Sequence, residues 1–94
     1  MKKTIKFDKE EIESLPNNKP SVYKIINNNG ENIYTGVAKR GRLQERLIEH
    51  LQGGPDPIKG GVKVKIEQMQ NIGEAEKKET NIINRINPKF NKKA

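Results

Sequence analysis

The two tyrosines of this chain, Tyr23 and Tyr34, are the first candidates for chemistry, because a phenol hydroxyl both donates and accepts hydrogen bonds. Each lies in a short strand-like run, and the segment Asn27-Asn28-Asn29-Gly30 between the runs is a hairpin turn signal. Folding that hairpin brings both phenols to one surface, in a chain with 4% aromatic residues and no Trp. We interpret the pair as functional, and the alternative is that both rings are cross-strand core residues.

A carboxylate on an apolar helix face is the second candidate. The sequence predicts a helix over about 74–87, with an apolar face that includes Ala75 and Ile83. Glu79 lies four residues from each of them and projects from the same face. A carboxylate in that position is costly unless it is paired or binds a cation. In the alternative interpretation Glu79 lies at the edge of the face and reaches solvent or forms a salt bridge.

Arg46 and His50 form a third group, one turn apart on a helix predicted over about 42–51. They lie beside the line of leucines that would face the core, namely Leu43, Leu47 and Leu51. The planar guanidinium of an Arg held beside a hairpin can clamp a phosphate. The alternatives are a solvated face with an Arg46–Glu49 or Arg42–Glu45 ion pair, and a surface or hydrogen-bonded structural role for His50.

The elements that must position these side chains are two strands, a helix, a strand and a helix. The hairpin runs from Ser21 to about Val37, and alternating apolar and charged residues over 62–67 predict a third strand. This order predicts an α+β domain with a small three-stranded antiparallel sheet flanked by helices. Residues 1–20 are predicted to be an N-terminal extension with a short strand and a helical turn, residues 21–91 the domain, and residues 92–94 a basic tail.

Composition limits the class of partner. Ninety-four residues make one domain, and a net charge of +7 favours a polyanion, with nucleic acid first. A soluble protein with a merely basic surface is the alternative, and a membrane surface is not expected as partner. The absence of Cys and the single His exclude thiolate and multi-His metal sites, so a metal would need oxygen ligands, as Mg²⁺ or Mn²⁺ does. No apolar run is long enough for a signal peptide or membrane span, so a cytoplasmic location is expected.

Taken together, these residues resemble the GIY-YIG nuclease family, which is named for two tripeptides on its hairpin. The resemblance covers about 21–91 and rests on five short segments in order: Ser21-Val22-Tyr23, Tyr34-Thr35-Gly36, the helix segment 43–50, the segment with Glu74-Ala75 and Glu79-Thr80-Asn81-Ile82-Ile83, and the closing Asn87-Pro88-Lys89-Phe90-Asn91. Val37 departs from the pattern, because many relatives have Lys directly after the second tripeptide. A basic loop is predicted at 38–42, and its Lys39 or Arg40 can replace that phosphate contact.

The resemblance implies hydrolysis of a DNA phosphodiester with one divalent ion, Mg²⁺ or Mn²⁺. It implies Glu79 as the metal ligand, Arg46 as the phosphate clamp and Tyr23 as the base, with nearby positive charge favouring its phenolate. The resemblance also implies supporting roles for Tyr34 and His50. It implies nucleic-acid contacts by a set of polar and basic residues: Lys39, Arg40, Arg42, Arg46 and Asn91.

Three functions follow as alternatives. The first is a free-standing endonuclease on DNA, with RNA not separated from DNA, whose specificity comes from substrate structure, a protein partner or a homo-oligomer. The second is a catalytically inactive nucleic-acid-binding module of the same fold. The third is a basic structural protein.

Overall fold

Four antiparallel strands form a single sheet, in the spatial order β1-β4-β2-β3. The computed structural model describes residues 2–91 and has these strands at Lys2–Lys6 (β1), Ser21–Asn27 (β2), Asn32–Ala38 (β3) and Gly61–Gln68 (β4). The basic tail predicted at 92–94 lies outside the described residues. The α+β class with an antiparallel sheet is therefore confirmed.

The predicted number of three strands is wrong, because β1 belongs to the sheet. It pairs antiparallel with β4, from Lys2 opposite Glu67 to Lys6 opposite Lys63. Ile5 is the only buried residue of this strand. The strand is therefore joined to the sheet mainly through backbone hydrogen bonds, which leave little trace in a hydrophobic pattern.

Three α-helices and one short 3₁₀ turn complete the described chain, at Lys9–Glu13 (α1), Leu43–Glu49 (α2), Ile72–Ile86 (α3) and Lys89–Asn91 (the 3₁₀ turn). The helix α3 begins two residues before its predicted start, because the Asn71 side chain accepts a hydrogen bond from the backbone N–H of Glu74 at 2.9 Å. It ends at Asn87, whose left-handed backbone (φ 56°) precedes Pro88. Within residues 2–91, no helix is long and apolar enough to cross a bilayer.

Helices pack on both faces of the sheet, and successive side chains of β2 point to alternate faces. Tyr23 and Ile25 pack in one hydrophobic cluster with Leu43 and Leu47 of α2, and we call this side the α2 face. The other cluster joins Val22 to the α3 residues Ala75 and Ile82, on what we call the α3 face.

Strand β3 is an edge strand, and it contacts α2, α3 and the 3₁₀ turn. Side chains carried by these separate elements can therefore converge at the β3 edge of the sheet.

Candidate active site

Tyr23 and His50 form a buried hydrogen-bonded pair on the α2 face. The Tyr23 hydroxyl lies 2.9 Å from Nε2 of His50, and Nδ1 of His50 lies 2.9 Å from the backbone carbonyl oxygen of Asp56. That carbonyl only accepts, so Nδ1 carries the ring proton and Nε2 is an acceptor. Tyr23 therefore donates its hydroxyl proton to His50, which is buried (1% exposed) and hydrogen-bonded rather than solvated.

Gly36 creates the space for the Tyr23 ring. The two residues are directly opposite across β2 and β3. A Cβ atom at position 36 would lie 2.5 Å from both Cζ and Oη of Tyr23, well inside van der Waals contact. The second tripeptide therefore needs its glycine for steric reasons, a role that the sequence prediction missed. The available signal was a glycine inside a strand, which often marks close approach of another group.

Tyr34 completes an aromatic cluster with this pair. Its ring centroid lies 6.2 Å from that of Tyr23 and 4.8 Å from that of His50. The hairpin thus brings both tyrosines to one surface, as the spacing predicted. Both rings also belong to the hydrophobic cluster of the α2 face and are buried (0% exposed for Tyr23 and 8% for Tyr34), so they contribute to core packing as well as to the candidate site.

Arg46 supplies positive charge beside the two tyrosines without making either of them a phenolate. Burial raises the pKa of Tyr23 well above its usual value, and the repulsion that an ionised Tyr34 would exert raises it further, while Arg46 acts in the opposite direction. Burial also raises the pKa of Tyr34, again opposed by Arg46. Desolvation outweighs the guanidinium at both tyrosines, so each hydroxyl keeps its proton at neutral pH.

The guanidinium of Arg46 is itself available to a ligand. Its side chain is 41% exposed, and its nearest acid partner is Glu49, with Nη1 and Oε1 3.7 Å apart. An ion pair this long and this exposed holds the side chain weakly. A phosphate that reaches the aromatic cluster can therefore recruit it.

Glu79 lies on α3, between the buried turns that carry Ala75 and Ile82. Burial raises the pKa of its carboxyl group, the charge of Glu76 raises it further, and Arg46 opposes both. Among residues 2–91 it has no salt-bridge partner within 4 Å. A half-buried carboxylate without a cation close enough to form an ion pair fits a divalent metal as its partner.

The protein would hold such a metal through one carboxylate. The described residues contain no group of three or more His, Cys, Asp or Glu side chains arranged to bind a metal. Mg²⁺ is commonly bound through one or two carboxylates while keeping several waters and substrate phosphate oxygens. The single Glu79 therefore suits Mg²⁺ better than an ion that needs a full protein cage.

Asn91 holds the edge strand through both ends of its amide. Its Oδ1 accepts from the backbone N–H of Thr35 at 2.7 Å, and its Nδ2 donates to the Thr35 carbonyl at 2.9 Å. The amide thus satisfies the main chain of the residue between Tyr34 and Gly36, as a neighbouring strand would. This geometry favours a supporting role. The second N–H of Nδ2 is not used by Thr35, and the nucleic-acid contact predicted for Asn91 stays a prediction.

The predicted basic loop lies between β3 and α2, with Lys39, Arg40 and Arg42 all exposed. The loop is fixed at its centre, where the Gly41 N–H donates to the Asn17 carbonyl at 2.8 Å. Arg42 makes an exposed ion pair with Glu45, with Nη2 and Oε1 2.6 Å apart. All three side chains are open to solvent, and their contact with nucleic acid stays a prediction.

Comparison with known proteins identifies relatives of this chain. Residues 19–93 match the family model described as the GIY-YIG catalytic domain. The UvrABC system protein C of Methylococcus capsulatus is 33% identical over 78 residues. That match covers 77% of this chain but spans 12% of the length of the relative.

Solved structures agree with the family match. The GIY-YIG N-terminal endonuclease domain of UvrC from Thermotoga maritima, as a point mutant bound to the catalytic divalent cation, superposes with a TM-score of 0.71 at 28% identity. That match covers 89% of this chain and 93% of the other. The magnesium-bound structure of the same domain gives a TM-score of 0.64 at 29% identity, over 86% of this chain and 91% of the other.

Proposed function

The chain belongs to the GIY-YIG family of endonuclease domains, and on that premise we propose that it hydrolyses phosphodiester bonds in DNA. The observation that carries the proposal is the buried hydrogen bond from the Tyr23 hydroxyl to Nε2 of His50. It gives the hydroxyl a defined route for its proton, beside a cation on α2 and a carboxylate on α3.

Tyr23 acts as base through His50, because its raised pKa prevents a standing phenolate. As a water molecule attacks phosphorus, its proton passes to the Tyr23 oxygen while the Tyr23 proton passes to Nε2 of His50. The resulting imidazolium keeps its Nδ1–H bond to the Asp56 carbonyl. Oδ2 of Asp56 lies 3.6 Å from the same Nδ1.

Arg46 and Glu79 stabilise the negative charge of the scissile phosphate, Arg46 directly and Glu79 through a bound cation. The guanidinium of Arg46 binds the scissile phosphate as negative charge builds in the transition state. Glu79 would hold a divalent ion, which when bound supplies Lewis acidity to the phosphate and stabilises the leaving 3′ oxygen. Tyr34, packed against His50, orients the water or a phosphate oxygen with its hydroxyl.

The class of substrate, the location and the source of specificity are proposed from the sequence. The net charge of +7 supports a nucleic-acid substrate. The exposed Lys39, Arg40 and Arg42 are the proposed backbone contacts beside the site. A cytoplasmic location, and specificity supplied by a protein partner or a second copy of the chain, belong to the same proposal.

The test is incubation of the protein with supercoiled plasmid, branched DNA and an RNA of matched sequence, each with Mg²⁺, Mn²⁺ or EDTA. We expect metal-dependent cutting of DNA and none with EDTA. Binding of all substrates without cutting under any metal would replace the proposal by the inactive binding module. Cutting of RNA alone would keep the chemistry and change the substrate.

A further inference from the structure

A second basic surface lies on the α3 face, away from the tyrosines. A cavity of about 560 Å³ opens between α3 and the sheet. Six cationic residues of β1, β2, β4 and α3 line it: Lys2, Lys3, Lys24, Lys65, Lys78 and Arg85. Glu67 is the one acid in this lining, and it forms an ion pair with Lys78. The cavity therefore has a large excess of positive charge, and we call it the basic groove.

Two lysines at its floor are forced together by the sheet. Lys24 of β2 and Lys65 of β4 are directly opposite in the antiparallel register. Like charges in that position destabilise a sheet. Burial lowers the pKa of Lys24, and Lys65, Lys78 and Arg85 lower it further. An anion bound here would reduce the repulsion between the two lysines, because its negative charge attracts both of them.

The basic groove is distinct from the candidate active site. Lys24 follows Tyr23 along β2, so its side chain is on the opposite face of the sheet. The described lining includes no residue of β3, the strand that carries Tyr34 and contacts both α2 and α3. A phosphate in the basic groove is therefore not the phosphate under attack.

The shape of this surface favours a polymer over a single small anion. A neighbouring cavity of about 340 Å³ shares Lys78 and Arg85 with the basic groove and adds Lys77 beside Lys78, together with the acid Glu74. The cations of α3 thus extend over about two helical turns, as successive phosphates of a nucleic-acid strand would require.

We infer that the basic groove binds the phosphate backbone of a nucleic acid, at a segment other than the one being cut. The binding needs no metal and no catalysis, so it goes beyond the proposed hydrolysis. It would allow one domain to hold two segments of a branched or sharply bent substrate, one on each side of the β3 edge.

The test measures binding of a short labelled DNA duplex in EDTA over a range of KCl concentrations. The groove variant is Lys65→Gln with Arg85→Gln. The control is Lys9→Gln with Lys59→Gln, two exposed lysines outside the groove lining that give the same change in net charge. Each lost phosphate contact lowers the slope of log affinity against log salt by roughly 0.9. We expect the groove variant to lose about 2 from that slope and the control to keep the wild-type value.

A second variant separates binding from folding. Lys24→Gln removes the like-charge contact, so we expect it to raise the melting temperature while weakening binding of the same duplex. Unchanged salt slopes in both the groove variant and Lys24→Gln would overturn the inference. Saturable binding of inorganic phosphate in the groove, with wild-type DNA binding in the groove variants, would also overturn it in favour of a small-anion site.

The outcomes also separate this inference from the proposed function. A protein that binds duplex through the groove but never cuts would overturn the hydrolysis and leave the groove intact. A protein that cuts DNA, and whose groove variants bind as the wild type does, would overturn the groove alone.

Discussion

The hydroxyl of Tyr23 and Nε2 of His50 are 2.9 Å apart, although 27 residues separate them in the sequence. The bond joins the centre of β2 to the residue that ends α2. Because His50 is fixed at its other nitrogen by the Asp56 carbonyl, its Nε2 is committed to the tyrosine. This imidazole is therefore the hydrogen-bonded acceptor available to a phenol whose pKa is raised by burial.

Replacement of His50 tests this dependence. His50→Phe keeps an aromatic ring, slightly larger than imidazole, but leaves the buried Tyr23 hydroxyl without its acceptor, which costs about 1–3 kcal/mol of unfolding free energy. We expect cleavage to slow by at least about 100-fold, the usual contribution of a positioned proton-transfer group. Urea unfolding and single-turnover cleavage check both effects. His50→Gln restores an acceptor and should recover much of the stability; wild-type cleavage by His50→Phe would refute the relay.

Gly36 gives a steric prediction. In Gly36→Ala the new methyl group would lie 2.5 Å from Cζ and Oη of Tyr23, so the ring must move and its bond to His50 must break. We expect a loss of about 1–3 kcal/mol together with loss of cleavage. Gly73→Ala is the matched control, because its nearest neighbour would be 3.4 Å away and the site lies in the first turn of α3. That control should unfold at the wild-type midpoint or slightly above it, and equal behaviour of the two variants would contradict the steric argument.

The sequence was most informative for features that follow from a short residue pattern alone. Two strand-like runs around an Asn-rich turn predicted that Tyr23 and Tyr34 share a surface, since a hairpin leaves little freedom. The position of Glu79 on an apolar helix face likewise predicted its half-buried environment. These inferences need only local geometry.

Long-range pairings were beyond the sequence. Strand β1 joins β4 across about 60 residues of chain through backbone bonds, so the sheet was predicted one strand short. The bonds of Asn91 to the Thr35 backbone and the contact of Lys24 with Lys65 depend on the same tertiary register. The sequence also suggested that positive charge would favour a Tyr23 phenolate, whereas burial, which depends on packing, outweighs Arg46.

Asn91 is predicted to act on the site through Thr35. Asn91→Ala removes both hydrogen bonds to the edge strand, and we expect it to cost about 1–3 kcal/mol and to slow cleavage by loosening the strand that carries Tyr34. Asn91→Asp keeps the acceptor but cannot donate to the Thr35 carbonyl, so it should fall between Ala and wild type. Hydrogen exchange at the Thr35 amide measures the contact directly. Unchanged protection of that amide in Asn91→Ala would contradict the assignment.

Burial of Tyr23 also predicts a loss of stability at high pH. Its pKa is raised in the folded state, so the folded protein retains a proton that the unfolded chain releases above about pH 10. The stabilisation is complete below that pH and is lost as the pH rises, by about 1.4 kcal/mol at pH 11. Urea unfolding at both pH values tests this, with Tyr23→Phe expected to show a smaller loss than wild type. A loss of equal size in Tyr23→Phe would contradict the prediction.

The most direct test of the central claim compares wild type with Glu79→Gln for binding and cutting of the same supercoiled plasmid in Mg²⁺. Glutamine keeps the shape of the side chain but removes the charge that would hold the ion. Because burial already disfavours the charged carboxyl, the substitution should leave the fold intact and the DNA affinity equal or higher. The account predicts that wild type nicks the plasmid and Glu79→Gln does not, at equal binding. Wild-type cutting by Glu79→Gln would contradict it.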